Sequence, residues 1–428
     1  MIIVDKELEK RHRDGNPIRV ALVGAGYMGR GIAIEIINAI VGMRLVAIAN
    51  RTIEEAGRAY QEAGVNSYVI ADTVAGLEDA VAKGQFSITD DPMLLCQAKG
   101  IDAVIEATGE IDFGAKVALE SIENGKHVIL MNAELDATIG PILKVYADRA
   151  GVVITNTDGD EPGVAMNLYR FVKTIGYHPV LAGNMKGFID PYRTPKTQQE
   201  FATKHNQKPR MITSFADGTK LSMETTILAN ATGFKVGKRG MYGHRCSHVK
   251  DLPAMFSFDQ LMGGGLIDYA LDAEPGTGAF VVGYNEHPIL KQYMSYFKMG
   301  DGPFYVFYTP YHLPHLQIPL TVARAVLFHD ATVAPLGAPM CDVIAIAKRD
   351  LKVGEILDGI GGYTCYGMID NAEVCQTENL LPMGLSKDCR IIRDIKRDQA
   401  ISYMDIQLPE GRISDRLRAE QDAFFFKT

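Results

Sequence analysis

The feature that most constrains the fold is a regular alternation of short β-branched runs with helical segments over roughly the first third of the chain. The first strand-like run is followed by a helical segment rich in isoleucine, and the pattern then repeats. Strands that alternate with helices predict parallel strands joined by right-handed crossovers. We therefore expect an α/β fold whose N-terminal part is a doubly wound sheet. The strand-like runs are IRVALVG, LVAIAN, DAVIEAT, HVILMN and GVVITNT.

A glycine motif lies between the first strand and the following helix. Gly24, Gly26 and Gly29 have the spacing GxGxxG. Glycines at these positions permit a tight turn and let a pyrophosphate approach the N-terminus of the helix. A glycine turn without a ligand is the alternative, but the strand–turn–helix setting favours the nucleotide site. The sequence predicts a Rossmann domain that binds a dinucleotide through these glycines, Tyr27 and Met28.

The end of the second strand indicates which dinucleotide binds. Many such sites carry a carboxylate here, which bonds the ribose 2′-hydroxyl and repels a 2′-phosphate. This chain has Asn50, Arg51 and Thr52 instead. We expect NADPH, with Arg51 facing the 2′-phosphate and its two neighbours donating further hydrogen bonds. The alternative is a solvated arginine at the beginning of a helix.

Polar residues also follow two later strands. Thr108 and Gly109 come after DAVIEA, and Asn132 comes after HVILM. Because open α/β sheets bind ligands at the carboxyl ends of their strands, these residues are expected beside the nicotinamide. Turn and cap chemistry is the alternative explanation.

The remainder of the chain is less regular, and 428 residues exceed one ordinary core. We expect a Rossmann domain over 1–159, an α+β catalytic and oligomerisation domain over 160–340, a small β-rich module over 341–410 and a closing helix over 411–428. A β-hairpin turn is predicted at Asp217-Gly218.

Composition limits the partners. The formal net charge of −8 argues against nucleic acid and anionic membranes, which require clustered positive charge. No signal peptide and no membrane-length apolar run is evident, so we expect a cytoplasmic protein, by default a homodimer. The cysteines show no CxxC pair and are expected to be buried thiols: Cys96, Cys246, Cys341, Cys365, Cys375 and Cys389.

Several longer stretches carry a family resemblance. Together they resemble the 1-deoxy-D-xylulose 5-phosphate reductoisomerase-like family, which is itself similar to homoserine dehydrogenases in the nucleotide half. Residues 342–407 resemble a SAF module. The stretches are IRVALVGAGYMG, VILMNAELDATIGP, GDEPG, ANATG and YHLPHLQIPLTVARAVL.

The resemblance implies an NADPH-dependent enzyme that uses Mg²⁺ or Mn²⁺. It would rearrange the carbon skeleton of 1-deoxyxylulose 5-phosphate or a pentulose 5-phosphate and reduce the aldehyde to a branched polyol phosphate. Two alternatives stay open: a simple dehydrogenase of the homoserine type, and a non-catalytic protein that senses NADPH. The sequence Asn132-Ala133-Glu134 lacks the lysine that homoserine dehydrogenases commonly carry after this asparagine.

Four residues are candidates for the chemistry. Lys186 is expected to polarise a carbonyl or donate a proton, with a surface lysine as the alternative. Asp160 and Glu161 are expected to act in catalysis as metal ligands, although such a pair also caps helices. His312 is a candidate general acid, although aromatic strands are more often core.

A basic stretch, GKRGMYGHRCSHVK, is the candidate phosphate site. Lys238, Arg239, His244 and Arg245 are expected to bind the substrate phosphate, because a cationic, glycine-containing loop suits a small anion. Solvated charge is the alternative explanation.

Overall fold

The computed structural model describes residues 3–426, which divide into two compact units. Unit 1 comprises Met1–Asp160, Leu313–Ala334 and Arg416–Gln421. Unit 2 comprises Glu161–His312, Pro335–Asp415 and Asp422–Thr428.

Unit 1 is built on a parallel sheet. Its strands are β1 (Ile18–Val23), β2 (Met43–Ala49), β3 (Val69–Ile70), β4 (Ser87–Thr89), β5 (Ala103–Glu106), β6 (His127–Leu130) and β7 (Ile154–Asn156). Its first helices are α1 (Val4–Arg13), α2 (Tyr27–Ala39), α3 (Ile53–Glu62), α4 (Val74–Ala82), α5 (Pro92–Gln97), α6 (Ile111–Glu123) and α7 (Ala133–Ala150).

The sheet order is β3-β4-β2-β1-β5-β6-β7, and every neighbouring pair is parallel. Alternate residues of β1 enter two separate apolar cores, Val20 and Leu22 in one and Ala21 and Val23 in the other. Both faces are therefore covered, as parallel sheets require. The predicted doubly wound α/β fold is confirmed.

Unit 2 is built on a mixed sheet. Its strands are β8 (His178–Lys186), β9 (Lys235–Val236), β10 (His244–Arg245), β11 (Leu266–Leu271), β12 (Ala279–Tyr284) and β13 (Phe304–Thr309). Its helices up to this point are α8 (Glu161–Thr174), α9 (Gln199–Lys204), α10 (Pro209–Ala216), α11 (Thr219–Thr232), α12 (Phe258–Met262) and α13 (Pro288–Tyr296), with a 3-10 helix at Val249–Met255. The order is β10-β11-β8-β12-β13, with β9 beside β11. Strands β8, β10 and β11 are parallel, and β12 is antiparallel to β8 and to β13.

The predicted hairpin at Asp217-Gly218 is wrong. These two residues connect helices α10 and α11. Gly218 has φ +87°, and Asp217 Oδ1 accepts a hydrogen bond from Thr219 N at 3.0 Å. An Asp-Gly pair supplies the same left-handed turn between two helices as between two strands, so the dipeptide alone did not identify the connection.

The chain then returns to unit 1 through α14 (Ile318–Phe328), which is fixed to the end of β7 by a buried carboxylate. Asp158 is 1% exposed, and Arg324 Nη1 lies 2.5 Å from its Oδ1. The hydroxyls of Thr321 and Thr332 donate to Asp158 Oδ2 at 2.9 and 2.6 Å. Because each acceptor of this buried charge has a partner, the contact ties the returning segment to the sheet.

The C-terminal part of the chain is rich in short strands. These are β14 (Cys341–Ala347), β15 (Cys365–Asn371), β16 (Arg390–Ile391) and β17 (Ile406–Gln407), with antiparallel β14/β15 and β16/β17 pairs. They are accompanied by α15 (Ala372–Thr377), α16 (Ile413–Phe425) and 3-10 helices at Met383–Leu385 and Tyr403–Asp405. This fits the expected β-rich module. Among the helices of residues 3–426, none combines the length and apolar character of a membrane span.

Side chains of helix α16 form hydrogen bonds with backbone groups of α7 near a proline. Pro141 lies inside α7 and disturbs its hydrogen bonds. In a regular helix Ile142 N would donate to Thr138 O; here it donates to Gln421 Oε1 at 3.2 Å. Arg418 Nη1 donates to Thr138 O at 3.4 Å. Two side chains of α16 thus pair the backbone groups around the proline.

We predict that Arg324→Met destabilises the protein strongly, because Asp158 would stay buried without its ionic partner. The expected loss in the free energy of unfolding is about 3–5 kcal/mol. Urea denaturation followed by circular dichroism measures it. Lys83→Met is the control, because Lys83 pairs with Asp79 on the surface and its loss should cost less than about 1 kcal/mol. Equal effects of the two changes would contradict the role given to Arg324.

Candidate functional site

The glycine loop of unit 1 has the geometry of a nucleotide cradle. Gly24 has φ +104°, and a Cβ there would lie 2.8 Å from Ala107 O. A Cβ at Gly29 would lie 2.0 Å from Gly24 O. At Gly26, the N-cap of α2, a Cβ would meet no atom within 4 Å. The fold itself requires two of the glycines, whereas the third leaves open space at a helix N-terminus, where a pyrophosphate fits.

The polar residues after β2 differ in their contacts: Asn50 is bonded to the glycine loop, whereas Arg51 is exposed to solvent. Asn50 Oδ1 accepts from Ala25 N at 3.0 Å, and its Nδ2 donates to Thr52 O at 2.8 Å. Asn50 therefore holds the glycine loop against the end of β2. Arg51 is exposed, and its side chain makes no hydrogen bond or ion pair with any described residue. Thr52 is the exposed N-cap residue of α3.

At the carboxyl ends of β5 and β6, side-chain hydrogen bonds fix the turn after β5 and the first turn of α7. Glu106 is fully buried and accepts hydrogen bonds from the Thr108 hydroxyl and, at 2.9 Å, from Thr108 N. Burial raises the pKa of the Glu106 carboxyl, and these bonds oppose the rise. Asn132 caps α7, its Oδ1 accepting from Leu135 N at 3.1 Å. Thr108 and Asn132 thus perform turn and cap chemistry at the edge where they were expected.

The other residues predicted to contact the cofactor lie in the same region of unit 1. Tyr27 is 51% exposed and Met28 is half-buried in the first turn of α2. Gly109 is exposed, with φ +71°, between β5 and α6. Their contacts with a cofactor stay predictions.

Unit 2 contains a buried ionic cluster around Lys186, the last residue of β8. The Lys186 ammonium contacts Glu161 Oε2 and lies 3.3 Å from Glu224 Oε2. Asn184 Nδ2 donates to the same two oxygens, at 3.1 Å each. The side chains of Glu161 and Glu224 are only 2% and 4% exposed, and that of Lys186 is 21% exposed. The ammonium is therefore held by a buried acidic pair, and the Lys186 side chain is the most exposed of the three.

The charges of this cluster shift one another's ionisation. Burial alone would lower the pKa of Lys186, but the carboxylates of Glu161 and Glu224 outweigh it and hold that pKa above its ordinary value. Burial, with the neighbouring Glu161 charge, raises the pKa of Glu224 to about 8. Lys186 consequently stays charged at neutral pH. Perturbed ionisable groups that meet in this way are typical of functional sites.

The structure brings three of the four predicted catalytic residues together. His312 Nδ1 lies 3.8 Å from Glu161 Oε1, whereas Lys186 contacts the other oxygen of that carboxylate, and 3.4 Å from Thr277 Oγ1. Asp160 is assigned to unit 1, where its backbone N donates to Thr157 Oγ1 at 3.2 Å.

The residues predicted to bind a divalent metal do not fit one. Within the part of the chain that the structure describes, no three His, Cys, Asp or Glu side chains are grouped as metal ligands. Glu161 Oε2 already faces the ammonium of Lys186 and the amide of Asn184. A cation bound there would be repelled by that ammonium.

Sequence reasoning missed two members of the cluster, Asn184 and Glu224. Asn184 interrupts the apolar residues of β8, HPVLAGNMK, and Glu224 is the one carboxylate of α11, TKLSMETTILANAT. A lone buried carboxylate or amide requires a partner, so these interruptions were a usable signal.

The four predicted phosphate ligands have different surroundings. Arg239 bonds Asp370 Oδ2 at 2.6 Å and Glu378 Oε2 at 2.7 Å, and so holds the C-terminal strands of unit 2. Lys238 Nζ lies 5.2 Å from the ring centroid of Tyr242.

The other two follow each other in β10. His244 stacks on Tyr242 and packs edge-on against Phe256. Arg245 is exposed and paired with Asp272.

Comparison with known proteins gives relatives for parts of the chain. Residues 159–318 match the family model described as the catalytic domain of oxidoreductase DRL. A homoserine dehydrogenase from Methylobacillus glycogenes is 31% identical over 122 residues, which are 28% of this chain and 26% of that protein. A homoserine dehydrogenase from Neisseria gonorrhoeae is 24% identical over 141 residues, 32% of this chain and 28% of that protein. The matched segments span about a quarter of those relatives.

Among solved structures, a probable dehydrogenase from Thermotoga maritima is similar with a TM-score of 0.43 and 14% identity, covering 75% of this chain and 91% of that one. The sequence matches support a relationship to NAD(P)-binding oxidoreductases, and the expected relationship is confirmed at that general level. The reductoisomerase-like family and the SAF module stay predictions.

Two glycine substitutions should separate folding from cofactor binding. Gly29→Ala should lower the melting temperature, because its Cβ would collide with the Gly24 carbonyl. Gly26→Ala should leave the melting temperature of the free protein nearly unchanged. It should nevertheless weaken NADPH binding by about 10–100-fold, because the Cβ would displace the pyrophosphate from hydrogen bonds. Differential scanning fluorimetry and calorimetric titration measure the two quantities; unaltered NADPH binding by Gly26→Ala would remove the pyrophosphate from this loop.

Proposed function

We propose that the protein is an NADPH-dependent oxidoreductase that reduces a carbonyl group of a phosphorylated, ketose-derived substrate. The observation that carries the proposal is the Lys186 ammonium, which Glu161 and Glu224 hold charged at the end of a strand while part of the lysine side chain is exposed. The glycine loop and the match to an oxidoreductase catalytic domain support the nicotinamide cofactor.

The chemistry of the cluster follows from its charges. Bound NADPH supplies a hydride. Lys186 donates a hydrogen bond to the carbonyl oxygen and stabilises the negative charge that hydride addition would place there. Glu161 and Glu224 fix the position of the ammonium, so little reorganisation is needed when that charge develops. His312 is the group through which protons would exchange with solvent, because its ring is partly exposed and lies beside Glu161.

The fuller form of the proposal is a reductoisomerase. In that form a skeletal rearrangement of 1-deoxyxylulose 5-phosphate or a pentulose 5-phosphate precedes reduction, and the product is a branched polyol phosphate. The similarity to homoserine dehydrogenases favours a second candidate, simple hydride transfer without rearrangement. The two differ in the carbon connectivity of the product.

In the direct test, the protein and NADPH are incubated with a panel of pentulose and deoxypentulose phosphates, with and without Mn²⁺. Loss of nicotinamide absorbance shows turnover, and NMR of the product shows whether its skeleton is branched. We expect oxidation of NADPH by at least one phosphorylated ketose. A protein that binds NADPH tightly but turns over no member of the panel would favour the sensing alternative.

Lys186→Met should lower kcat by about 10²–10³-fold, the usual cost of losing one donor to a developing oxyanion. NADPH affinity should stay unchanged, because the glycine loop belongs to unit 1. Since this change leaves the buried acidic pair of Glu161 and Glu224 without a cation, Lys186→Arg is the companion variant: it retains the positive charge and should fold but turn over slowly. Wild-type kcat in the arginine variant together with a folded, active methionine variant would exclude Lys186 from the chemistry.

Arg51→Asp tests the form of the cofactor. The change should raise KM for NADPH far more than KM for NADH, because an aspartate repels the 2′-phosphate and accepts from a 2′-hydroxyl. Steady-state kinetics with both cofactors measures the ratio. Arg58→Asp is the matched control, because Arg58 lies in α3, the helix that follows Arg51, but pairs with Glu55 and Glu62. Equal changes for the two cofactors would remove the assignment of Arg51.

A further inference from the structure

Three parallel strands of unit 2 end side by side. In the β8/β11 pair Lys186 is the register partner of Leu271, and in the β10/β11 pair Leu271 is the register partner of Arg245. The backbone N of Asp272, the next residue, donates to Lys186 O at 2.9 Å. Lys186, Leu271 and Arg245 therefore form a row across the carboxyl ends of the strands.

The two cations of this row project from the same face of the sheet. Register partners in parallel strands point to the same side, and successive residues alternate. Met185 and Ala270 enter one apolar core, and His244, the partner of Ala270, packs on Phe256 of that core. Lys186 and Arg245 consequently lie on the opposite face, about 10 Å apart, since two strand spacings separate them.

Arg245 is available to an anionic ligand. Its side chain is 68% exposed, and its partner Asp272 is 46% exposed. Such exposed ion pairs contribute little, so a phosphate, which accepts two guanidinium bonds, can replace or join the carboxylate. Of the four predicted phosphate ligands, Arg239 is engaged by two carboxylates and His244 lies on the other face. Next to Lys186, Gly187 leaves the edge open: an added Cβ would meet nothing closer than Gly276 O at 3.9 Å.

The separation of the two cations suits a small ketose phosphate. In a ketose phosphate of three to five carbons, the three to five bonds from the carbonyl carbon to the phosphorus span about 4–6 Å, and a hydrogen bond of about 3 Å at each end brings the donors to about 10–12 Å. Flexible side chains about 10 Å apart at their strands match this range.

We propose that Arg245 binds the phosphate of the substrate whose carbonyl oxygen Lys186 binds. This inference rests on the proposed function, which it deepens by naming the anion-binding residue.

Binding and turnover test it separately. Calorimetry with ribulose 5-phosphate and xylulose 5-phosphate, in the presence of NADP⁺, should show wild-type binding that Arg245→Ala weakens by about tenfold or more. Arg349→Ala, which removes another exposed arginine paired with a carboxylate, should change it less than twofold. Unphosphorylated ribulose should bind weakly and equally to wild type and Arg245→Ala.

Equal affinity of wild type and Arg245→Ala for the pentulose phosphates, or no binding of them by wild type, would overturn the inference. Arg245-dependent binding without any NADPH oxidation would retain the anion site and refute the proposed function. NADPH oxidation with an unchanged kcat/KM in Arg245→Ala would support the proposed function and refute the anion site at Arg245.

Discussion

Unit 2 depends on helix α11, which is buried on nearly every side. All its residues except Lys220 are buried, although several are polar. On one side Glu224 meets Lys186. On another, Thr219 Oγ1 accepts from Gly367 N at 2.8 Å and Ser222 donates to Gly367 O at 3.2 Å. Because buried polar groups require partners, the helix is stable only where the β8 sheet and the β14/β15 pair are both present.

This arrangement gives the C-terminal strands a structural part in the candidate catalytic cluster. Asn230, in the last turn of α11, accepts hydrogen bonds from Met340 N and Cys341 N, at 2.7 and 3.1 Å, where the chain enters β14. The β14/β15 pair is thereby joined to the helix that carries Glu224. The residues for which a separate module was predicted thus pack within unit 2.

The sequence predicted best what is determined locally. The need for glycine at these two positions arises largely within one strand–turn–helix segment, from the positive φ of Gly24 and from the close approach of Gly29 to the Gly24 carbonyl, so their spacing was sufficient. Glu224 reaches Lys186 only because α11 packs on β8, and no spacing along the chain encodes that contact. The basic stretch shows the same limit: composition grouped Arg239, His244 and Arg245, whereas strand register and packing direct them to different surroundings.

The residue after β2 shows how one side chain meets both structural and electrostatic needs. Asn50 accepts from Ala25 N and donates to Thr52 O. An aspartate could make the first bond but not the second, since an ionised carboxylate only accepts. It would also place a negative charge next to Arg51 and reduce the positive potential there. The neutral amide therefore holds the glycine loop in place and leaves the Arg51 guanidinium uncompensated, the condition under which a 2′-phosphate would be preferred to a hydroxyl.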